Sequence, residues 1–258
     1  MLIDTHAHVM YSAPGSDDTT QRDLDAAYVE AADALGIDIL VVSCPMVPKP
    51  TPPEIFCHAN DLVLDAMHKW PGKIWLTTYI NPGWSAEALA EIDRTSAATG
   101  DMVAVKLLRD YSCADPVCFP VVEKCIELGL VVIIHQAHHT KLPPDFPYPE
   151  VDAEDVVELA RRYPEAKIIA DHIGGGGDWE WTIKTLAEAP NVSQEISGSQ
   201  FDEGCLEMML EYLGVERMVF ACDCSISSSV GKFRALPCSD EEQEQIGSRN
   251  FLKLCGRL

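Results

Sequence analysis

At 258 residues, 47% hydrophobic and 23% charged, the chain has enough apolar material for one sizeable core, and it is read as a single domain over residues 1–258. Its 41 acidic against 19 basic residues, a formal charge of −22, would be repelled by phosphate backbones and anionic bilayers, which argues against nucleic acid and membrane partners. There is no basic-then-apolar leader and no membrane-length apolar run, so a cytoplasmic protein is expected. Of the ten cysteines, Cys44, Cys125, Cys205, Cys222 and Cys255 fall inside apolar segments, the pattern of reduced, buried thiols rather than of a disulfide framework.

Short β-branched apolar runs alternate with stretches of helical spacing along the whole chain. Strands are predicted at 2–7, 37–44, 73–80, 102–108, 130–135, 167–172, 191–197 and 217–223. Between and after them, helices are predicted near 22–35, 54–70, 85–98, 117–128, 152–163, 179–189, 203–213 and 240–255. Ser85 and Asp115-Pro116 stand where helices start, and Gly36, Gly100, Gly129 and Gly214 stand where a left-handed residue would end them. Eight βα units in a chain of this length predict an α/β fold, the (β/α)8 TIM barrel, rather than a doubly wound sheet.

In such a barrel the chemistry gathers at the C-terminal ends of the strands. The first strand, in "IDTHAHV", carries His6 and His8; the fourth carries Lys106, the fifth His135, the sixth His172 and the eighth Asp223. Strict alternation puts Asp4, His6 and His8 on one face, and pairs Ala170 with His172 and Ala221 with Asp223, so that all of these faces can point inward. Two histidines one residue apart on an extended strand have Cα atoms roughly 6.5–7 Å apart, close enough for both rings to reach one ion. HxH alone is a weak signal, since both rings could be satisfied core residues. Four histidines and an aspartate in one low-dielectric mouth are costly without a partner, and a cation supplies one. Nitrogen ligands with one carboxylate suit Zn²⁺ at an open catalytic site, while Mn²⁺, Fe²⁺ or Co²⁺ accept the same donors.

At these residues the sequence resembles the amidohydrolase superfamily, and within it the amidohydrolase-related branch that includes aminocarboxymuconate semialdehyde decarboxylase-like enzymes. "DTHAH" is similar to the first-strand motif of that family, "GLVVIIH" to the fifth, "PEAKIIADHIGG" to the sixth, "RMVFACD" to the eighth and "EEQEQIGSRNFLKL" to the closing helix. The family's Gly-Ser/Thr-Asp followed closely by Pro is replaced here by Ala221-Cys222-Asp223-Cys224-Ser225-Ile226, which alters the final loop but keeps the aspartate. The resemblance implies that His6, His8, His135 and Asp223 bind one metal, with His172 either a ligand to a second metal or a partner of the reacting water or substrate. For Lys106 three readings stand open: a carboxylated bridge between two metals, a cation touching substrate or structure, or a lysine snorkelling from the strand end.

Further residues carry smaller expectations. Arg109 could clamp a substrate carboxylate or be an ordinary loop arginine. His138 and His139 could line the pocket or sit on a solvated loop, and His58 and His68 are read as surface residues. Trp179 and Trp181 could form a lid over an apolar substrate or pack on a helix. Gly174-Gly175-Gly176-Gly177 lacks the Lys-Ser/Thr of a P-loop and is read as a tight turn. Cys222 and Cys224 should face the helices if Asp223 faces inward.

The function expected is metal-dependent hydrolysis of a small amide, lactone or related carbonyl compound, with Asp223 as proton shuttle and His172 orienting water or oxyanion. Non-oxidative decarboxylation of a small carboxylic acid is the alternative, and a non-catalytic binding barrel is a third reading. Short connections, with only about 22 residues from position 9 to 30 between the first strand and its helix and no long insertion elsewhere, favour an open mouth and hence the hydrolase. A small-molecule substrate is the expected partner, with a homo-oligomer left open.

Overall fold

The computed structural model describes residues 1–16, 19–137, 150–173, 177–198 and 200–258. Eight strands run in sequence order: β1 (Ile3–His8), β2 (Ile39–Ser43), β3 (Ile74–Ile80), β4 (Met102–Leu107), β5 (Val131–Ile134), β6 (Lys167–Ala170), β7 (Val192–Glu195) and β8 (Met218–Val219). Every neighbouring pair from β1–β2 to β7–β8 is parallel. The seam between β8 and β1 is drawn together by Thr5 N–H donating to the Phe220 carbonyl at 3.1 Å and Asp223 N–H donating to the His6 carbonyl at 2.7 Å. The fold is a (β/α)8 TIM barrel, as the alternation predicts.

The helices are α1 (Thr19–Ala34), α2 (Pro53–Lys69), α3 (Ser85–Ala98), α4 (Phe119–Leu128), α5 (Ala153–Arg162), α6 (Trp179–Leu186), α7 (Cys205–Leu213), α8 (Ile226–Arg234), α9 (Asp240–Glu244) and α10 (Asn250–Leu254). One π-helical turn, Gln245–Arg249, joins α9 to α10 into the predicted closing run. Local chemistry sets many of the ends. Asp115 caps the turn before α4 by accepting from Val117 N–H, and Asp152 opens α5 with a capping box. Gly36, Gly129 and Gly214 are left-handed as expected, whereas Gly100 is not.

Three expectations about the chain's course are corrected. Helix α8 occupies a segment for which neither strand nor helix is predicted: Val230 and Phe233 are buried against the outer core, and that packing outweighs the weak helix propensity of the Ser-rich stretch. The first helix begins at Thr19, which shortens the connection from β1. Residues 135–152 separate β5 from α5, a longer interval than the short connections expected.

Two hydrophobic layers follow from strand alternation. Outward residues such as Leu40, Val42, Val105, Leu107, Val132, Ile134, Ile168 and Ala170 pack with the helices. Inward residues Ile3, Val41, Ala104, Val131, Ile133, Ile169 and Val219 form a smaller cluster inside the barrel, which Phe251 of α10 joins and to which Val103 is added where β4 shifts register against β3. All ten cysteines are free thiols; Cys222 is buried in the outer layer, but Cys224 is exposed because residues 223 and 224 both turn left-handed. Among the described residues no helix is long and apolar enough to cross a membrane.

Candidate functional site

Alternation brings Lys106 and His135 inward as predicted: Ala104 and Ile133 on the same faces belong to the interior cluster. Asp223 lies past the end of β8 and is left-handed, at φ 45°, with its N–H on the His6 carbonyl. Two other strand ends reach the site by breaking alternation. In β1 the register shifts between Asp4 and Ala7, so Ile3 and both histidines face the interior while Ala7 packs outward. Asp4 therefore does not share the face of His6 and His8. Its carboxylate accepts from the Tyr28 hydroxyl at 2.8 Å and from Cys222 N–H at 2.9 Å, and burial pushes it up to about 7. In β6, Ala170 belongs to the outer layer, not to the face of His172; Asp171 turns inward, and His172 enters the site because its backbone is left-handed, at φ 62°.

The resulting cluster is tight. Ligand atoms of His6, His8 and Asp223 all lie within 4.8 Å of one another. His8 Nε2 stands 3.1 Å from Asp223 Oδ1, and His6 Nε2 stands 3.6 Å from the same oxygen. His8 Nδ1 faces the Ser43 carbonyl at 3.3 Å. The Ser43 hydroxyl oxygen lies 3.2 Å from the same Nδ1, so Ser43 holds that edge of the ring and Nε2 is the atom presented to Asp223. The His6 ring is pinned on its other side by Glu195, 3.1 Å from Nδ1. These donors and their orientation fit a divalent cation.

His135 does not join that trio at ligand distance. It meets His172, with His172 Nε2 and His135 Nδ1 3.1 Å apart, and groups instead with Asp171 and His172. Asp171 Oδ1 is buried and has no hydrogen-bond partner. The other Asp171 oxygen takes the Lys106 ammonium in a fully buried ion pair, and Lys106 Nζ also sits 3.1 Å from His6 Nε2.

Burial disfavours the charged form of three of the rings, His6, His135 and His172. Burial lowers His6 well below the usual histidine range, and the Lys106 ammonium adds to it; burial and the neighbouring His172 and Lys106 lower His135 likewise. Burial also lowers His172, against the pull of Glu195 and Asp223. For Asp223, burial alone would raise the carboxyl, but the hydrogen bond from His8 and the rings of His6 and His172 outweigh it and hold it well below the usual carboxylate range. Burial raises Asp171 in spite of Lys106.

A cavity of about 310 Å³ opens over this cluster. His6, His8, His135, His172 and Asp223 form one side; Lys49, Lys106 and Arg109 bring positive charge; Pro45, Met46, Val47 and Leu108 supply an apolar wall. Lys49, unnoticed in the sequence among its prolines, is held by Asp110 and the Tyr79 hydroxyl, both at 2.6 Å. Trp179 packs against the outer hydrophobic layer and is not among the cavity's lining residues. His58 is half-buried, with Nε2 2.8 Å from the Ser12 carbonyl, rather than a surface residue. His138, His139 and Gly174 to Gly176 lie outside the described residues.

Two carboxylates at the centre, Asp171 and Glu195, escaped the sequence reading. Asp171 lies beside His172 in "ADHIGG", hidden by the assumed alternation, and Glu195 ends β7, where an inward carboxylate was the signal to look for.

Residues 3–256 match the family model described as Amidohydrolase. A stretch of 99 residues is 31% identical to the uncharacterized protein y4mH of Sinorhizobium fredii and spans 33% of that relative's length. Among solved structures, the chain is similar to 2,6-dihydroxybenzoate decarboxylase from Rhizobium (TM-score 0.76, 17% identity, 99% of this chain and 98% of that one). It is also similar to a dihydroxybenzoic acid decarboxylase from Polaromonas sp. JS666 with bound manganese and the inhibitor 2-nitroresorcinol (TM-score 0.74, 17% identity, 99% and 96% covered). A third similar structure is a probable 2-pyrone-4,6-dicarboxylic acid hydrolase from Acinetobacter baumannii with citric acid bound (TM-score 0.65, 16% identity, 99% of both chains covered).

Proposed function

This chain belongs to the amidohydrolase family, whose enzymes bind a divalent metal, and we propose that it is a metal-dependent hydrolase of a small carbonyl compound that carries a carboxylate. The observation that carries this reading is the convergence of His6, His8 and Asp223 on the wall of a cavity that also presents Lys49, Lys106 and Arg109. Lys49 and Arg109 on that wall offer cationic groups that suit an anionic substrate in an otherwise acidic protein.

His6, His8 and Asp223 would hold the ion, with His135 as the further ligand that the family resemblance implies. One Zn²⁺ suits these donors, and Mn²⁺, Fe²⁺ or Co²⁺ would serve. When bound, the ion supplies a Lewis acid for the substrate carbonyl and lowers the pKa of water. The chain's own residues do the rest. Asp223, ionised and 31% exposed, accepts a proton from the attacking water and returns it to the leaving group. His172, with Nδ1 3.5 Å from Asp223 Oδ2, orients that water or steadies the oxyanion. The ion pair of Lys106 with Asp171 supports Lys106 as a cation rather than a carboxylated bridge, since a carbamate would face a carboxylate of like charge. A single ion follows from that.

A second reading, decarboxylation of a small carboxylic acid, is favoured by the apolar wall of Pro45, Met46, Val47 and Leu108, which suits a flat ring whose carboxylate lies among the histidines. The decarboxylases among the similar structures support it equally. One assay separates the two: metal-loaded protein is incubated with a panel of lactones, amides and aromatic or enoic carboxylic acids, and acid release and CO₂ are followed separately. Chelator-sensitive acid release supports the hydrolase. CO₂ without hydrolytic product gives the answer to the lyase, and no turnover of any kind would leave the binding-barrel reading.

A further inference from the structure

We propose that Glu195 is the positioning residue of this site, using one buried carboxylate to fix both the tautomer of His6 and the backbone of His172. The inference rests on the reading of His6 as a metal ligand. Glu195 is fully buried at the end of β7, and its two oxygens are met by four donors. Oε1 lies 3.1 Å from His6 Nδ1 and accepts from His172 N–H at 2.6 Å and from the Ser197 hydroxyl at 2.6 Å, while Oε2 accepts from Ser197 N–H.

Glu195 already accepts from the backbone N–H groups of His172 and Ser197, so it meets His6 as an acceptor and the His6 proton sits on Nδ1. The Nε2 lone pair is then directed at the point where Asp223 Oδ1 and Lys106 Nζ also converge, 3.6 and 3.1 Å away. The opposite tautomer would set a lone pair against the carboxylate and leave a proton where the ion belongs.

The second link is conformational. A left-handed histidine is strained and persists only where its surroundings impose it. Here the His172 N–H is held by Glu195, and the space beside its Cβ is left by Gly198: a Cβ on Gly198 would come within 3.2 Å of His172 Cβ. One side chain from β7 thus ties the end of β1 to the end of β6.

The test begins with the tautomer of His6 in the metal-free wild type, read from ¹⁵N shifts of the histidine rings and assigned by comparison with His6→Ala. A proton on Nδ1 is expected; a proton on Nε2 overturns the proposal whatever any variant does. Zinc and manganese affinities of wild type, Glu195→Gln and His6→Ala are then measured by competition with a chromophoric chelator, alongside the melting temperature of each metal-free protein. Glu195→Gln keeps one acceptor oxygen but sets an NH₂ against Ser197 N–H, and it is expected to bind metal about 10–100-fold more weakly, with the His6 tautomer mixed. A folded Glu195→Gln that binds metal as tightly as wild type refutes the assignment. Wild type that binds neither metal refutes the functional reading instead, and the ring spectra still decide on Glu195.

Discussion

Where the strands begin, the barrel interior is filled by Ile3, Val131 and their neighbours closing on Phe251, whose ring stacks on Trp75 at 6.5 Å. Where they end, the same strands deliver His6, His8, Lys106, Asp171, His172, Glu195 and Asp223 into a space almost as dry. Their sheet is the same, and the difference lies in how each end is satisfied. The apolar end needs only shape, and each residue contributes by burial. In the polar end every group depends on a particular partner, and the chain accepts a register shift in β1 and left-handed residues at His172, Asp223 and Cys224 to bring those partners together. One end of the core is thereby held by shape and the other by specific pairing.

If that division holds, variants at the polar end should abolish metal binding without unfolding the protein. His6→Ala/His8→Ala is expected to lose stoichiometric metal on dialysis and all measurable turnover, while the metal-free protein remains folded. Elemental analysis that still finds one equivalent would place the ion elsewhere. Asp223→Asn should lower turnover about 10²–10⁴-fold with metal partly retained, the scale for losing a general acid–base group. Near-normal turnover at full metal content would remove it from the proton path.

The next pair sharpens the contrast, because both changes cost about 3–5 kcal/mol but for different reasons. Phe251→Ala leaves a cavity at the apolar end, and its metal affinity should match wild type. Lys106→Met strands a buried Asp171 carboxylate, and Lys106→Met/Asp171→Leu should recover most of the loss. Denaturant titration of the double-mutant cycle reads the coupling; additive losses would show that the pair is not a unit.

The smallest effect lies outside the barrel. Burial raises Asp155 in α5 above the ordinary 3.8, although the Ser112 hydroxyl donates to it at 2.8 Å. The native state therefore holds the proton more tightly than the unfolded chain, so the contribution of Asp155 is greatest below pH 3.8 and is lost as pH rises through the folded value. Asp155→Asn, compared with wild type by denaturant melts at several pH values, should gain relative stability as pH rises across that window. A flat difference would mean that the carboxyl titrates normally.

Legibility followed the range of the interactions. Strand and helix periods are local, so β3 and β4 end within a residue of their predicted limits and α3 matches its predicted range throughout. Helix α8 was not legible because its serines argue against a helix until Val230 and Phe233 find the core. In the site, Lys106 and His135 could be placed by alternation alone, whereas Asp223 lies past the end of β8 on a left-handed backbone. Asp4 and Ala170 could not, because the β1 shift and the turn at His172 come from neighbouring strands. Trp179 shows the reverse: an aromatic suggestive of a lid beside the site packs instead on the outer layer.

The sequence by itself determined that there would be eight βα units and that histidines and an aspartate would stand at strand ends, since both follow from spacings within a few residues. Only the tertiary structure decided which of those groups meet. His6 finds Glu195 across 189 residues, and Lys106 finds Asp171 across 65. A buried charge is satisfied by whatever the closed barrel sets beside it, and closure depends on the register of all eight strands at once, which no local pattern carries.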